Sequence, residues 1–362
     1  MSANNEGVLL ECIGRHKCAL FPLQSINCLV ILGHTLPPGA IPNTSEKNSL
    51  LRRATDKTGA MNSPILGRDT DQHFGPTEWG MSTMVALSWG ASFLFIAIAI
   101  DHVATGVVPF ARLAFGAIAL ACFPAARKRI DRSDMKRVAM LGLVAMTIPF
   151  YLYPLAEQSV SSSITGMING SIPITTVLAA AILTRRAPSG RRILAVLIGF
   201  SGIALISFGS VGDGKGASAH GVIFLLAATC CYAFTSIMSR EMQVKYGTLT
   251  VLLWQELFAL LFSLPLAIPA LLSDETTFTW SAFFALFVLG TVGTGFAYVV
   301  YGTLMVRAGA VRGVIGVFFT PIVATILGLV FLDESVSIIA VVGMCIVICG
   351  AYLTSRPEKV TA

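Results

Sequence analysis

The sequence predicts an all-α polytopic membrane protein, with ten transmembrane helices arranged as two inverted five-helix repeats. Three observations carry that prediction: an apolar, charge-poor composition, basic residues gathered in alternate loops, and a self-match at an offset of 148 residues. Of 362 residues, 55% are hydrophobic and only 12% are charged. A water-soluble domain gives about a quarter of its residues to charge. Halving that share leaves most of the surface facing lipid. The formal net charge is +6, yet the seven Lys/Arg and seven Asp/Glu before Met81 cancel. The excess therefore lies in short loops between apolar runs, which argues for an orientation signal and against nucleic acid as a partner.

Residues 1–80 are polar and mixed. Glu6, Glu11, Arg15, His16 and Lys17 rule out a signal-peptide start. The run from Ala19 to Leu36 is interrupted by Pro22, Gln24, Asn27, Gly33 and His34, so it falls short of the roughly 20 apolar residues a span needs. Two readings stay open for this tail: a flexible cytoplasmic extension, or a stretch upstream of a start at Met81 or Met84. The expected organisation is a tail over 1–80, a first half over 81–209, a second half over 220–355 and a cytoplasmic tail over 356–362. Eight cysteines form no disulfide or zinc pattern, and five of them lie inside apolar runs as small hydrophobes.

Ten apolar runs follow, at 81–100, 103–125, 137–157, 162–184, 192–209, 220–240, 248–272, 280–304, 312–332 and 336–355. Each is long enough to cross about 30 Å of hydrocarbon at about 1.5 Å per residue. Basic residues test the count. Arg127, Lys128, Arg129, Arg132, Lys136 and Arg137 fill the second loop; Arg185, Arg186, Arg191 and Arg192 fill the fourth. Arg240 and Lys245, Arg307 and Arg312, and Arg356 and Lys359 continue the series. The odd loops hold only Lys215 among bases, with Asp101, Glu157, Asp213, Asp274, Glu275, Asp333 and Glu334. By the positive-inside rule both termini are expected in the cytoplasm, in a multi-pass plasma-membrane protein.

At the 148-residue offset Gly142 matches Gly290, Tyr153 matches Tyr301, Pro173 matches Pro321, Ile174 matches Ile322, Ile198 matches Ile346 and Gly202 matches Gly350. An odd number of spans per half forces equivalent helices to run oppositely, the inverted arrangement in which secondary transporters place a substrate site near the midplane.

These features together resemble the drug/metabolite transporter superfamily, EamA type. The residues that carry the likeness are Trp89-Gly-Ala-Ser-Phe, Pro109-Phe-Ala-Arg-Leu, Pro173 and Pro321, Gly295-Phe-Ala-Tyr through Tyr301, Gly309-Ala310, Asp333-Glu334 and Gly350. The likeness covers about 81–355 and implies a central cavity between the halves and export of amino acids, metabolites or drugs. The chain departs from it at Arg185-Arg186, where a Gly-Glu or Arg-Glu pair is usual, and at Asp333, where Gly is usual.

Charge inside a membrane helix costs roughly 3 kcal/mol on insertion scales, so each instance calls for a reason. Arg112, about nine residues into the second span, could attract a substrate carboxylate. Glu256, about eight into the seventh, could carry a coupling proton. Packing, mutual pairing or snorkelling are the plainer readings of both. Trp89, Asn169, Tyr232, Gln255, Tyr298 and Tyr301 are the uncharged candidates for the wall of a substrate cavity. Asn169 stands out because it precedes Ser171 and Pro173, and an interrupted helix is where transporters build sites. Trp280, at a span edge, reads as an interface anchor, and Gly199-x-x-Gly202 as close helix packing.

The expected function is secondary export of small metabolites, amino acids or drugs by alternating access, with a passive facilitator or importer as the alternative and a membrane receptor or sensor as the alternative of another class. Thr291-Val-Gly-Thr-Gly295 looks superficially like a channel filter but lies inside a continuous apolar run. The spans contain neither a nucleophile–base pair nor a metal cluster, so an enzyme is not expected, and G-x-x-x-x-G-K-[ST] does not occur, so ATP drive is not expected either. No cofactor is expected. The expected partners are the lipid bilayer and a small-molecule substrate, with a homodimer left open.

Overall fold

A computed structural model describes residues 75–185, 187–209, 218–313 and 315–355, and all regular structure among them is helical. The expectations placed on the N-terminal tail, on Arg186 and on the C-terminal 356–362 lie outside the described residues. Helix α1 spans Pro76–Ile100. It begins before the expected Met81 because Pro76 suits a first turn and the Glu78 carboxylate accepts the Gly75 N–H at 3.1 Å. Helix α2, Val107–Ala121, is shorter than the apolar run that contains it. Thr105-Gly106 turns at one end, and Pro124 at the other disfavours helical backbone at Phe123.

Helix α3 runs Arg132–Glu157 and contains a π-helical stretch, Leu143–Thr147. The expected fourth span is two helices, α4 over Ser162–Asn169 and α5 over Ile172–Thr184, bent by 42°. Its break falls at Gly170-Ser171, and a Cβ on Gly170 would stand 2.7 Å from the Pro321 ring. Helix α6 is Gly190–Gly209, and α7 is Ala219–Tyr246, capped by the Ser218 hydroxyl at 3.1 Å from Gly221 N. Gly247, at φ 85°, turns the chain into α8, Thr248–Leu271. Helix α9 passes from Trp280–Gly290 through a second π-helical stretch, Thr291–Phe296, into Ala297–Gly313. The filter-like Thr291–Gly295 run is thus helical with a widened turn. Helices α10, Ile315–Phe331, and α11, Ile338–Ser355, complete the chain.

Six of these helices are long and apolar enough to cross a membrane: α1, α3, α6, α7, α8 and α9. The bent α4–α5 pair satisfies the same length and composition as one span, and α2, α10 and α11 are shorter apolar helices. Large apolar side chains project outward along them, Phe284, Val330 and Leu197 among them, as lipid-facing helices require.

The 148-residue repeat has a geometric counterpart. The two π stretches begin at Leu143 and Thr291, 148 apart. The two non-glycine residues with left-handed backbone, Arg185 at φ 52° and Asp333 at φ 50°, are also 148 apart. These are the places where the family resemblance leads one to expect glycine in one or both halves, and the backbone keeps a glycine-like turn without it. The halves interlock. Helix α1 packs chiefly on α10, α7 on α3 and α5, α2 on α8, and α6 on α11. In the last pair a Cβ on Gly202 would lie 2.7 Å from the Gly343 carbonyl, and one on Gly350 would lie 2.7 Å from Gly199 N. Bare backbone at these positions is what lets the two helices touch.

Candidate functional site

Where α2 crosses α9 the backbones nearly meet, because a Cβ on Gly290 would stand 2.6 Å from the Arg112 carbonyl. The matching crossing of α8 with α3 puts a Cβ on Gly142 2.6 Å from the Gln255 carbonyl. Arg112 and Gln255 therefore occupy equivalent places in the two halves. Only the first carries charge.

Arg112 is the sixth residue of α2, nearer the helix start than the apolar run implied, and is 6% exposed. Its Nε donates to Thr294 Oγ1 at 2.6 Å and Nη2 approaches the Gly293 carbonyl at 3.5 Å, both in the π stretch of α9. The guanidinium carbon lies 3.9 Å from the centre of the Phe150 ring, a cation–π contact that holds the charge in an apolar setting. Two of its five N–H donors are engaged among the described residues.

Glu256, on α8, is fully buried, and neither carboxylate oxygen has a hydrogen-bond donor among the described residues, Arg112 included. Direct pairing of the two charges does not occur, although Glu256 lies within the electrostatic reach of Arg112. Space for the carboxylate is made by Gly116, one turn beyond Arg112, whose Cβ would fall 2.8 Å from Oε2. A buried carboxylate without donors is costly, and retaining one suits a group that gains and loses a proton.

Around these charges stands an aromatic wall. Trp89 packs edge-on against Tyr298 at 5.4 Å between ring centres and lies tilted against Tyr301 at 4.9 Å. Tyr232 stacks on Tyr153 at 6.0 Å, Phe93 meets Tyr153 at 5.7 Å, and the Tyr153 hydroxyl donates to Asn169 Oδ1 at 2.5 Å. Seven of the eight residues named from sequence thus fall in one connected region. Gln255 does not join them: its Nε2 donates to Ser239 Oγ at 3.3 Å, in the α7–α8 contact. Adjacent residues on a helix point about 100° apart, and here Gln255 turns toward α7 while Glu256 turns toward Gly116 of α2. Phe150, Tyr153 and Thr294 were missed. Only Tyr153 carried a signal, as the repeat mate of Tyr301.

Apart from this cluster, the Glu334 carboxylate accepts the N–H groups of Ser162 and Ser163 at 2.7 and 2.9 Å, capping α4 from the other half. A cavity of about 280 Å³ lies beside it, lined by Asp101, Glu157 and Asp333 among others. Among the described residues no group of acidic, histidine and cysteine side chains is placed to hold a metal.

The profile of the EamA-like transporter family matches residues 80–208 and again 219–356. The chain belongs to that family. An uncharacterised transporter of Archaeoglobus fulgidus is 22% identical, the match covering 77% of this chain and 99% of the relative. A probable terminal-alkyne amino-acid exporter of Streptantibioticus cattleyicolor is also 22% identical, over 77% of this chain and 93% of its own. One solved crystal structure superposes with a TM-score of 0.53 at 18% identity, covering 76% of this chain and 95% of that one, a likeness of fold alone. The EamA-like family and these relatives make the protein a multi-pass membrane transporter.

Proposed function

We propose that this EamA-like transporter is a secondary exporter of small amphipathic metabolites bearing a carboxylate, amino acids among them, working by alternating access in the plasma membrane. Its ten spans form two inverted five-helix halves with both termini in the cytoplasm, and the substrate binds between the halves. The observation that carries this reading is the pair of opposite charges buried within an aromatic wall: Arg112 with donors to spare and Glu256 with none received. Guanidinium suits a carboxylate, Glu256 can meet an ammonium or carry a coupling proton, and the rings take the apolar remainder. The Streptantibioticus relative named as an amino-acid exporter supports the substrate class.

The test is reconstitution into vesicles with L-propargylglycine or L-phenylalanine as probe. Arg112→Ala should abolish transport of the acids and spare the decarboxylated amines. Equal transport of acid and amine after that change removes the carboxylate role. Glu256→Gln should abolish pH-driven uptake into inverted vesicles while counterflow persists. Unchanged pH-driven uptake removes the coupling role of Glu256, whereas a wild type indifferent to the pH gradient is a passive facilitator.

A further inference from the structure

Both π stretches hold a threonine whose hydroxyl engages its own helix and the opposite half. In α3 the Thr147 hydroxyl lies 3.4 Å from the Gly142 carbonyl and 3.2 Å from the Ala259 carbonyl of α8. In α9 the Thr294 hydroxyl donates to the Leu289 carbonyl at 3.1 Å, five residues back, and accepts from Arg112 Nε at 2.6 Å. A π turn widens the helix and leaves carbonyls incompletely served. The threonine hydroxyl fills that gap, and its proton is thereby committed. With the proton fixed on Leu289, a lone pair of Oγ1 is what Arg112 meets. Thr294 is fully buried, so water does not compete for it.

The consequence falls on the guanidinium. Its Nε edge is held by Thr294 and one face is covered by Phe150 at 3.9 Å. One Nη2 N–H turns to the Gly293 carbonyl at 3.5 Å, which leaves Nη1 and the second Nη2 N–H at the terminal end, and the Phe150 ring beneath the guanidinium packs in one cluster with Tyr232 and Tyr298. That end is the fork that binds a carboxylate through two parallel hydrogen bonds. A guanidinium free to rotate about its stem would present this fork only part of the time. We propose that Thr294 is a positioning residue for substrate recognition, turning the terminal fork of Arg112 toward the aromatic wall so that a carboxylate is met bidentately. This rests on the carboxylate reading of the Arg112 site and adds the residue from the other half that sets its geometry.

The experiment measures equilibrium binding of two matched pairs, L-propargylglycine with propargylamine and L-phenylalanine with phenethylamine, to purified protein. Wild type should prefer the acid in at least one pair. Thr294→Val keeps the shape and removes the acceptor, and should cut that preference about tenfold, the scale of one charge-assisted hydrogen bond. Thr294→Ser should restore it, and amine affinity should stay within about twofold throughout. If Thr294→Val does not fold, Thr294→Cys, a weak acceptor of similar size, makes the same comparison. A Thr294 variant that keeps the preference while Arg112→Ala loses it overturns the positioning role alone. Equal weakening of acid and amine also overturns it, as loss of packing. A wild type that prefers the acid in neither pair, or an Arg112→Ala that keeps the preference, removes the carboxylate reading and this inference with it.

Discussion

Replacing Glu256 by methionine should make the protein more stable and less able to work. Both carboxylate oxygens are buried without a donor, and an unsatisfied buried polar group costs about 1–3 kcal/mol. Methionine matches the volume closely, and its thioether can lie against the bare backbone of Gly116, where Oε2 now sits. Attraction to Arg112 offsets part of the gain, since that cation loses a neighbour. We expect a net stabilisation of about 1–2 kcal/mol, or roughly 1–3 °C in the unfolding midpoint for a chain of this size. Thermal unfolding in detergent, followed by tryptophan fluorescence, reads the midpoint; uptake into inverted vesicles under a pH gradient reads function and should be lost. A midpoint lowered by a similar amount refutes the reasoning, because it means that the carboxylate is held by partners whose loss is felt.

Gly290→Ala places a methyl group 2.5 Å from Phe115 Cβ and 2.6 Å from the Arg112 carbonyl. It should destabilise by about 1–3 kcal/mol through overpacking, whereas Gly80→Ala, with nothing within 4 Å, should be neutral or slightly stabilising in the same unfolding assay. Asp333→Gly should raise stability by about 1 kcal/mol by relieving the left-handed backbone at φ 50°, and Asp333→Val should lower it. Where the start of α3 meets the end of α7, Tyr246 donates to Asp131 at 2.8 Å and Lys245 lies 3.4 Å from it, and together they hold the Asp131 carboxyl below the usual carboxylate range. A lowered carboxylate contributes stability at neutral pH that disappears as pH falls through its folded value. Lys245→Gln should therefore separate from wild type in unfolding midpoint at pH 7 and converge with it in acid; a gap constant with pH contradicts this.

The helical membrane fold was legible because lipid writes itself into composition and apolar run length. Among the described residues each of the eleven helices overlaps one of the ten apolar runs, the fourth run holding two, and the paired π stretches and paired left-handed turns keep the 148-residue offset. The widened turns themselves left no mark, since Leu143–Thr147 and Thr291–Phe296 are apolar enough to read as ordinary helix. The bend at Gly170-Ser171 was signalled by Pro173, yet its repeat mate Pro321 sits inside an unbroken α10. Within the site, buried charge and aromatic residues stood out singly in the sequence. Phe150 and Thr294 did not, because each matters only through a contact with Arg112 across 38 and 182 residues of chain. Gln255 stood out as a polar residue within an apolar run, and its Nε2 is instead taken up by Ser239 in the α7–α8 contact.

The most direct measurement is cysteine labelling from each side of the membrane, with single cysteines at Lys128 and at Asp274 in a background lacking the native thiols. We expect an impermeant reagent to reach Lys128→Cys only from the cytoplasmic side and Asp274→Cys only from the opposite side. Labelling of both from the same side contradicts two oppositely threaded halves, and with them a substrate path running between Arg112 and Glu256.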